Sequence, residues 1–321
     1  MESLYHYCST EKCLSILKYQ SIRLSDIQKS NDYLELNLLY PTIFDVIRDM
    51  YYQDPFPFVF EDCSGGAAIQ KLLSLSKAYW TGRFSSGDFS NFVLCFSERG
   101  NLLSQWRGYA DNGQGCCLEF SRESLQSYCA STNGVIRMEK VRYMSEQELR
   151  NHVCMCAALV LQILSEMRGK LSVNAEIAGD DRRLDELTRF NFDTILENMF
   201  IESLCCKSVG FQEEQEWRIF FSMCPFREPD WYYGDVESKT FDAPELFVKT
   251  VKFLNERIDF RATQDDLIPF CLINFDEFAS YPLKSVWLGP KNKIRDTDFR
   301  MFLRKNNNPA IKIFHSGITY R

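Results

Sequence analysis

Apolar periodicity changes character along this chain, and never with the regular βα alternation that a doubly wound parallel sheet requires. From Ser145 to Cys206 the hydrophobic positions recur mainly at helical spacing, with a break near Gly179-Asp180-Asp181. On either side they fall in short runs that read as strands: Leu4–Cys8, Ile22–Ser25, Phe92–Phe96, Cys116–Phe120, Glu216–Ser222, Phe247–Phe253, Ile268–Phe275, Val286–Leu288 and Ile311–Phe314. Helices are expected after Ser9 or Thr10 as N-cap, after Asn31-Asp32 with Leu34, Leu38 and Leu39, and over Ala67–Trp80, Leu102–Tyr109 and Asp296–Arg304. Gln53–Gly66, with two prolines and two glycines, reads as a loop. Strands and helices mixed in this irregular way predict an α+β fold. The expectation is a single domain over residues 1–321, with residues 145–206 as a helical insertion or subdomain.

With 321 residues, 45% hydrophobic and 25% charged, the chain has ample material for a core, and 26 Phe and 15 Tyr place large rings in it. A net charge of -7 argues against broad binding to nucleic acid. A local basic groove from Lys291, Lys293, Arg295, Arg300 and Arg304 remains open. The 13 cysteines are odd in number and contain no Cys-x-x-Cys, and there are only three histidines, His6, His152 and His315. Neither a disulfide framework nor a metal site is expected. The start shows no basic and apolar leader, and no apolar run approaches the ~18–20 residues of a membrane span. A reduced, cytoplasmic, soluble protein without membrane contact is expected.

Three separated segments carry chemistry. On a strand over Leu4–Cys8, His6 and Cys8 point one way and Tyr5 and Tyr7 the other. His6 then suits either a ribose hydroxyl, with Ser9 beside it, or a bond to backbone as a polar strand residue. Trp106 and Tyr109, three apart on a helix, suit either stacking on a cationic aromatic ring or anchoring in the core. If Gln215–Phe221 is a strand, Glu214 and Glu216 share a face with Arg218. Such carboxylates can stabilise a growing oxocarbenium-like charge and orient an acceptor, or Glu216 can pair with Arg218 on an exposed strand.

Leu4-Tyr5-His6-Tyr7-Cys8-Ser9, the Ile16-Leu17 helix and Ser21-Ile22-Arg23-Leu24 resemble the opening of the ADP-ribosyltransferase superfamily. The departures are Cys8, where that superfamily favours Ser or Thr, and Gln20 or Ser21, where a glycine is common. Val93-Leu94-Cys95-Phe96-Ser97 and Glu214-x-Glu216 extend the resemblance. It implies an ADP-ribosyltransferase-like mixed or antiparallel sheet core. NAD would be the substrate, with His6 and Ser9 on a ribose, Arg23 at the pyrophosphate or ribose, Trp106 or Tyr109 on nicotinamide, and Glu216 catalytic with help from Glu214. ADP-ribose would pass to a protein or nucleic-acid acceptor, or to water. The order Tyr5-His6-Tyr7, Asn31-Asp32-x-x-Glu35, Cys95-Phe96-Ser97, Trp106-x-x-Tyr109-Ala110, Gly115-x-x-Leu118-x-Phe120, Glu216-Trp217-Arg218, Trp287-Leu288-Gly289-Pro290 is similar to the bacterial family known as domain of unknown function 2971. That likeness implies an accessory or defence role without naming a reaction. A non-catalytic nucleotide- or partner-binding sensor domain is the alternative, and a glycosidase using Glu214 or Glu216 is a further rival.

Overall fold

The computed structural model describes residues 2–27, 40–86, 90–132, 134–173, 181–223, 256–262, 266–308 and 310–320. The chain divides into two compact units. The first takes residues 1–30, 90–141 and 210–321, and the second takes residues 31–89 and 142–209. The architecture is mixed α+β. The expected strand at Phe247–Phe253 and the helix bearing Leu34, Leu38 and Leu39 lie outside the described residues.

The first unit is built on a ten-stranded mixed sheet. In chain order its strands are β1 (Ser3–Cys8), β2 (Ser21–Asp26), β3 (Ser90–Ser97), β4 (Cys116–Ser121), β5 (Arg137–Lys140), β6 (Glu216–Met223), β7 (Ile258–Ala262), β8 (Leu267–Asn274), β9 (Leu283–Leu288) and β10 (Lys312–His315). Its helices are α1 (Thr10–Tyr19), α2 (Leu103–Tyr109), α3 (Arg122–Ser131) and α4 (Asp296–Lys305). β6 runs along one edge of β3 from Ser90 to Ser97, and β5 pairs with the far side of β6. The other edge of β3 is divided. β2 pairs with it at Phe92 and Val93, while β1 pairs with it at Ser97. Two arms leave that fork: β2, β8, β7, and β1, β4, β9, β10. All these pairings are antiparallel except β9 with β10.

Alternation along the strands sends Leu4, Phe92, Leu94, Phe96, Leu118, Phe120 and Ile219 into one core layer, closed by Cys13 and Leu17 of α1 and by Phe299 and Leu303 of α4. The opposite sheet face holds a smaller cluster in which α2 lays Trp106 against Tyr7 and Cys117. α1 begins where expected because Ser9 Oγ accepts from Lys12 N at 3.2 Å. It stops at Gln20, whose left-handed φ of 52° turns the chain into β2. The turn at residues 111–115 is a structural clasp. A Cβ on Gly115 would lie 2.2 Å from the carbonyl oxygen of Cys8, and one on Gly289 would lie 2.4 Å from that of Gly113.

In the second unit the described helices are Tyr40–Gln53, Gly65–Ser86, Glu146–Val173 and Asp181–Ser203, with the short parallel strands Arg142–Met144 and Cys206–Ser208. The expected loop at Gln53–Gly66 instead contains a two-stranded hairpin, Val59–Phe60 with Cys63–Ser64. Its two-residue turn, Glu61-Asp62, holds both residues at positive φ, 47° and 60°. That geometry normally selects Asn-Gly, so the residue types concealed it. The helices at Tyr40–Gln53 and Arg122–Ser131 and the strands β5 and β7 are additions to the sequence reading. No helix among the described residues is long and apolar enough to cross a membrane.

Candidate functional site

The three segments singled out in the sequence meet at one corner of the first unit, but the first of them arrives through Tyr7. Tyr7 Oη donates to the carbonyl of Arg99 at 2.6 Å and accepts from Leu102 N at 3.1 Å. Ser97 Oγ donates to the carbonyl of Glu214 at 2.7 Å and accepts from Arg99 N at 3.1 Å. Glu98 N donates to the carbonyl of Gln215, and Arg99 Nε to Gln215 Oε1, each at 3.0 Å. Trp217 Nε1 and Lys140 Nζ both donate to Glu98 Oε1, at 2.8 and 2.7 Å. Partial burial opposes ionisation of Glu98, yet the bonds from Lys140 and Trp217 outweigh it and hold the carboxyl below its ordinary range.

The Glu-x-Glu pair does not sit on a single strand. Val209–Glu214 is a 3₁₀ turn, Gln215 takes a left-handed φ of 44°, and β6 begins only at Glu216. Glu214 therefore precedes the strand, and alternation along β6 does not assign its side chain a face. Glu216 and Arg218 do share one, and their pair is internal where the sequence allowed an exposed one. Arg218 Nε donates to Glu216 Oε1 at 2.7 Å and its second nitrogen to Oε2 at 3.2 Å, with Arg218 0% and Glu216 4% exposed. Both carboxylate oxygens are thus engaged by one guanidinium.

Tyr109 and Glu214 come together directly. Tyr109 Oη donates to Glu214 Oε1 at 2.9 Å. The ring is 43% exposed and the acid 8%. Trp106, three residues back on α2, is fully buried. Its Nε1 donates to Asn101 Oδ1 at 2.9 Å, and Tyr7 meets its ring edge-on at 5.0 Å. It anchors α2 on the sheet and leaves Tyr109 as the ring that faces outward.

His6 lies elsewhere. Residues directly opposed on neighbouring strands share a sheet face. The registers Glu216–Ser97, Ser97–Tyr5, Tyr5–Glu119 and Glu119–Ser285 therefore define one polar row across five strands. His6 opposes Leu118 and stands edge-on to Phe96 at 5.9 Å, on the other face with Trp217. His6 Nδ1 donates to the carbonyl of Cys95 at 2.9 Å, which puts the proton of the neutral ring on Nδ1. Burial drives its pKa down to about 4, against the carbonyl bond that favours protonation, with Lys12 adding to the depression. His6 and Glu216 do not face one cleft on a single side of the sheet.

The remaining candidates are also placed. Ser9 serves as the N-cap of α1, and Arg23 is exposed on β2 with its guanidinium 4.5 Å from the centre of the Phe270 ring. Among the described residues no three His, Cys, Asp or Glu side chains group as a metal site requires. Sequence reasoning missed Tyr7 and Arg99, which tie the corner together, and Glu119, which receives the hydroxyls of Ser3 (2.7 Å) and Ser285. A charged residue between Leu118 and Phe120 on an otherwise apolar strand was the available signal for Glu119.

No curated protein matches the chain. No solved structure matches it either. Over residues 105–219, which include Trp106, Tyr109, Glu214 and Glu216, the chain matches the model of a family described as Protein of unknown function (DUF2971).

Proposed function

We propose that the first unit is a nucleotide-binding domain whose site is the corner formed by Tyr109 and Glu214, with NAD⁺ as the ligand to test. The observation that carries this reading is the 2.9 Å bond between a half-exposed tyrosine ring and a buried carboxylate. A flat ring offers a stacking surface for a base or for nicotinamide, and the acid behind it accepts a ribose hydroxyl. The resemblance of Leu4–Leu24 to the ADP-ribosyltransferase opening supports a sheet core of that kind and a nucleotide ligand. Binding without cleavage is the favoured form. Glu216 has both oxygens on Arg218, and His6 lies across the sheet, so the His-and-Glu arrangement of a transferase is not assembled. A sensor or defence role fits such a domain.

A second reading, in which the chain cleaves the nicotinamide bond of NAD⁺ and passes ADP-ribose to a macromolecule or water, draws on the meeting of the three segments through Tyr7, Ser97 and Gln215. One experiment separates the two. Purified protein is titrated with NAD⁺ by calorimetry, and free nicotinamide is then measured after incubation with cell lysate. Saturable binding that Glu214→Gln weakens, with no nicotinamide released, supports the binding domain. Nicotinamide release that disappears in Glu214→Gln moves the assignment to the transferase. No heat and no release rejects both.

A further inference from the structure

α4 is held down by Phe299 and Leu303, which are 1% and 2% exposed on the sheet face opposite Trp106. A quarter-turn round the helix lie Arg300 and Arg304, four residues apart and so on one stripe, with Met301 and Lys305 beyond them; all four are exposed. Residues 291–305 contain six cations and two carboxylates, a local +4 in a chain whose net charge is -7. Both carboxylates are engaged, Asp298 by Arg295 at 2.8 Å and Asp296 by His315 at 2.7 Å. Lys293, Arg300, Arg304 and Lys305 have no ion-pair partner among the described residues. Arg304 and Lys305 gain from the negative end of the helix dipole, whereas Arg300 and Lys293 do not. α1 runs alongside. Asn292 Nδ2 donates to Thr10 Oγ1 at 3.2 Å near its start, and Asn308 Nδ2 donates to the carbonyl of Leu17 at 2.8 Å near its end. It adds Lys12 and Lys18 as exposed cations.

We propose that this α4 face is a docking surface for the phosphate backbone of a nucleic acid, independently of the Tyr109–Glu214 reading. Cations repeated along a helix at ~5–6 Å match a repeating anion better than a single one. Guanidinium groups also grip phosphate oxygens in pairs, which a lysine-only surface does not. The acidity of the rest of the chain confines a polyanion to this face and makes the contact electrostatic and indifferent to base sequence.

A fluorescent single-stranded oligonucleotide, its duplex and vesicles containing phosphatidylserine are each titrated with the full chain between ~50 and ~200 mM salt. With about four phosphate contacts, log Kobs should fall against log salt with a slope of about -3. Arg300→Gln/Arg304→Gln should flatten that slope by about 1.5 and weaken oligonucleotide binding roughly tenfold at low salt. Both side chains are solvent-facing, so thermal unfolding should be unchanged. Lys293→Gln/Lys305→Gln provides a second variant with the same expected direction. Oligonucleotide binding that is absent at ~50 mM salt, or a slope that neither double variant changes, would overturn the proposal. Vesicle binding that depends on Arg300 and Arg304 where the oligonucleotide shows none would overturn it too, in favour of a membrane surface.

Discussion

The hydroxyl of Tyr109 lies 2.9 Å from a carboxylate oxygen of Glu214, joining a ring that faces water to an acid that does not. If this pair holds a nucleotide, the ring and the acid contribute separately. Tyr109→Ala and Glu214→Gln should each weaken NAD⁺ binding on the order of tenfold, about 1.5 kcal/mol for a bond involving a charged group. Tyr109→Phe should retain most of the affinity, because the stacking surface survives. Calorimetric titration of the three variants checks the order.

Glu216 and Arg218 form an internal ion pair, and removing one partner takes that counter-charge from the other in the interior. Glu216→Gln should destabilise the fold by about 3–5 kcal/mol, whereas the double change Glu216→Leu/Arg218→Met should cost much less. Urea unfolding midpoints distinguish the two. Equal losses would show that the charge left behind is not the dominant cost.

Tyr7 Oη bridges the Arg99 carbonyl and the Leu102 amide, so it fixes the entry to α2. Tyr7→Phe should cost about 0.5–1.5 kcal/mol by removing both bonds. Amide exchange in residues 99–109 should rise more than in β4.

His6 is held neutral, with a pKa near 4 in the fold against an ordinary 6.5. Between those values the unfolded chain binds the extra proton, so stability is full above about pH 6.5 and declines as the pH falls toward 4. Each pH unit in that window removes at most about 1.4 kcal/mol. His6→Asn keeps a donor for Cys95 and abolishes titration. The difference in unfolding free energy between wild type and this variant should therefore change with pH over that interval, and a constant difference would contradict the assignment.

Gly115 sits where a Cβ would press on the Cys8 carbonyl, a backbone atom that cannot swing aside. Gly115→Ala should lose more than about 2 kcal/mol, read as a lowered Tm.

Much of the first unit was legible because its strands alternate or run apolar between clear turn residues. β1, β3, β4, β6, β8 and β9 all stand where hydrophobic runs pointed, and α1 begins at the Ser9 cap. The hairpin at Glu61-Asp62 was not, since two acidic residues at positive φ carry no glycine signature. The candidate site was legible as a set of segments but not as a set of side chains. Strand parity correctly separated His6 from Tyr5 and Tyr7, yet which of them faces the Tyr109 corner depended on register with β3 and β4. Gln215 in the left-handed region ends the strand short of Glu214, so strand parity does not reach that side chain. No local pattern encodes either effect.

The divided edge of β3 has a mechanical consequence. Since β1 and β2 leave that strand at different heights, its backbone between Val93 and Ser97 is bridged by an imidazole at Cys95 in place of a continuous ladder. Flexing the arms about this spine would strain a side-chain latch before it strained the long β3–β6 seam. The sheet can yield there while the β3–β6 seam that carries the Arg218 pair keeps its registry.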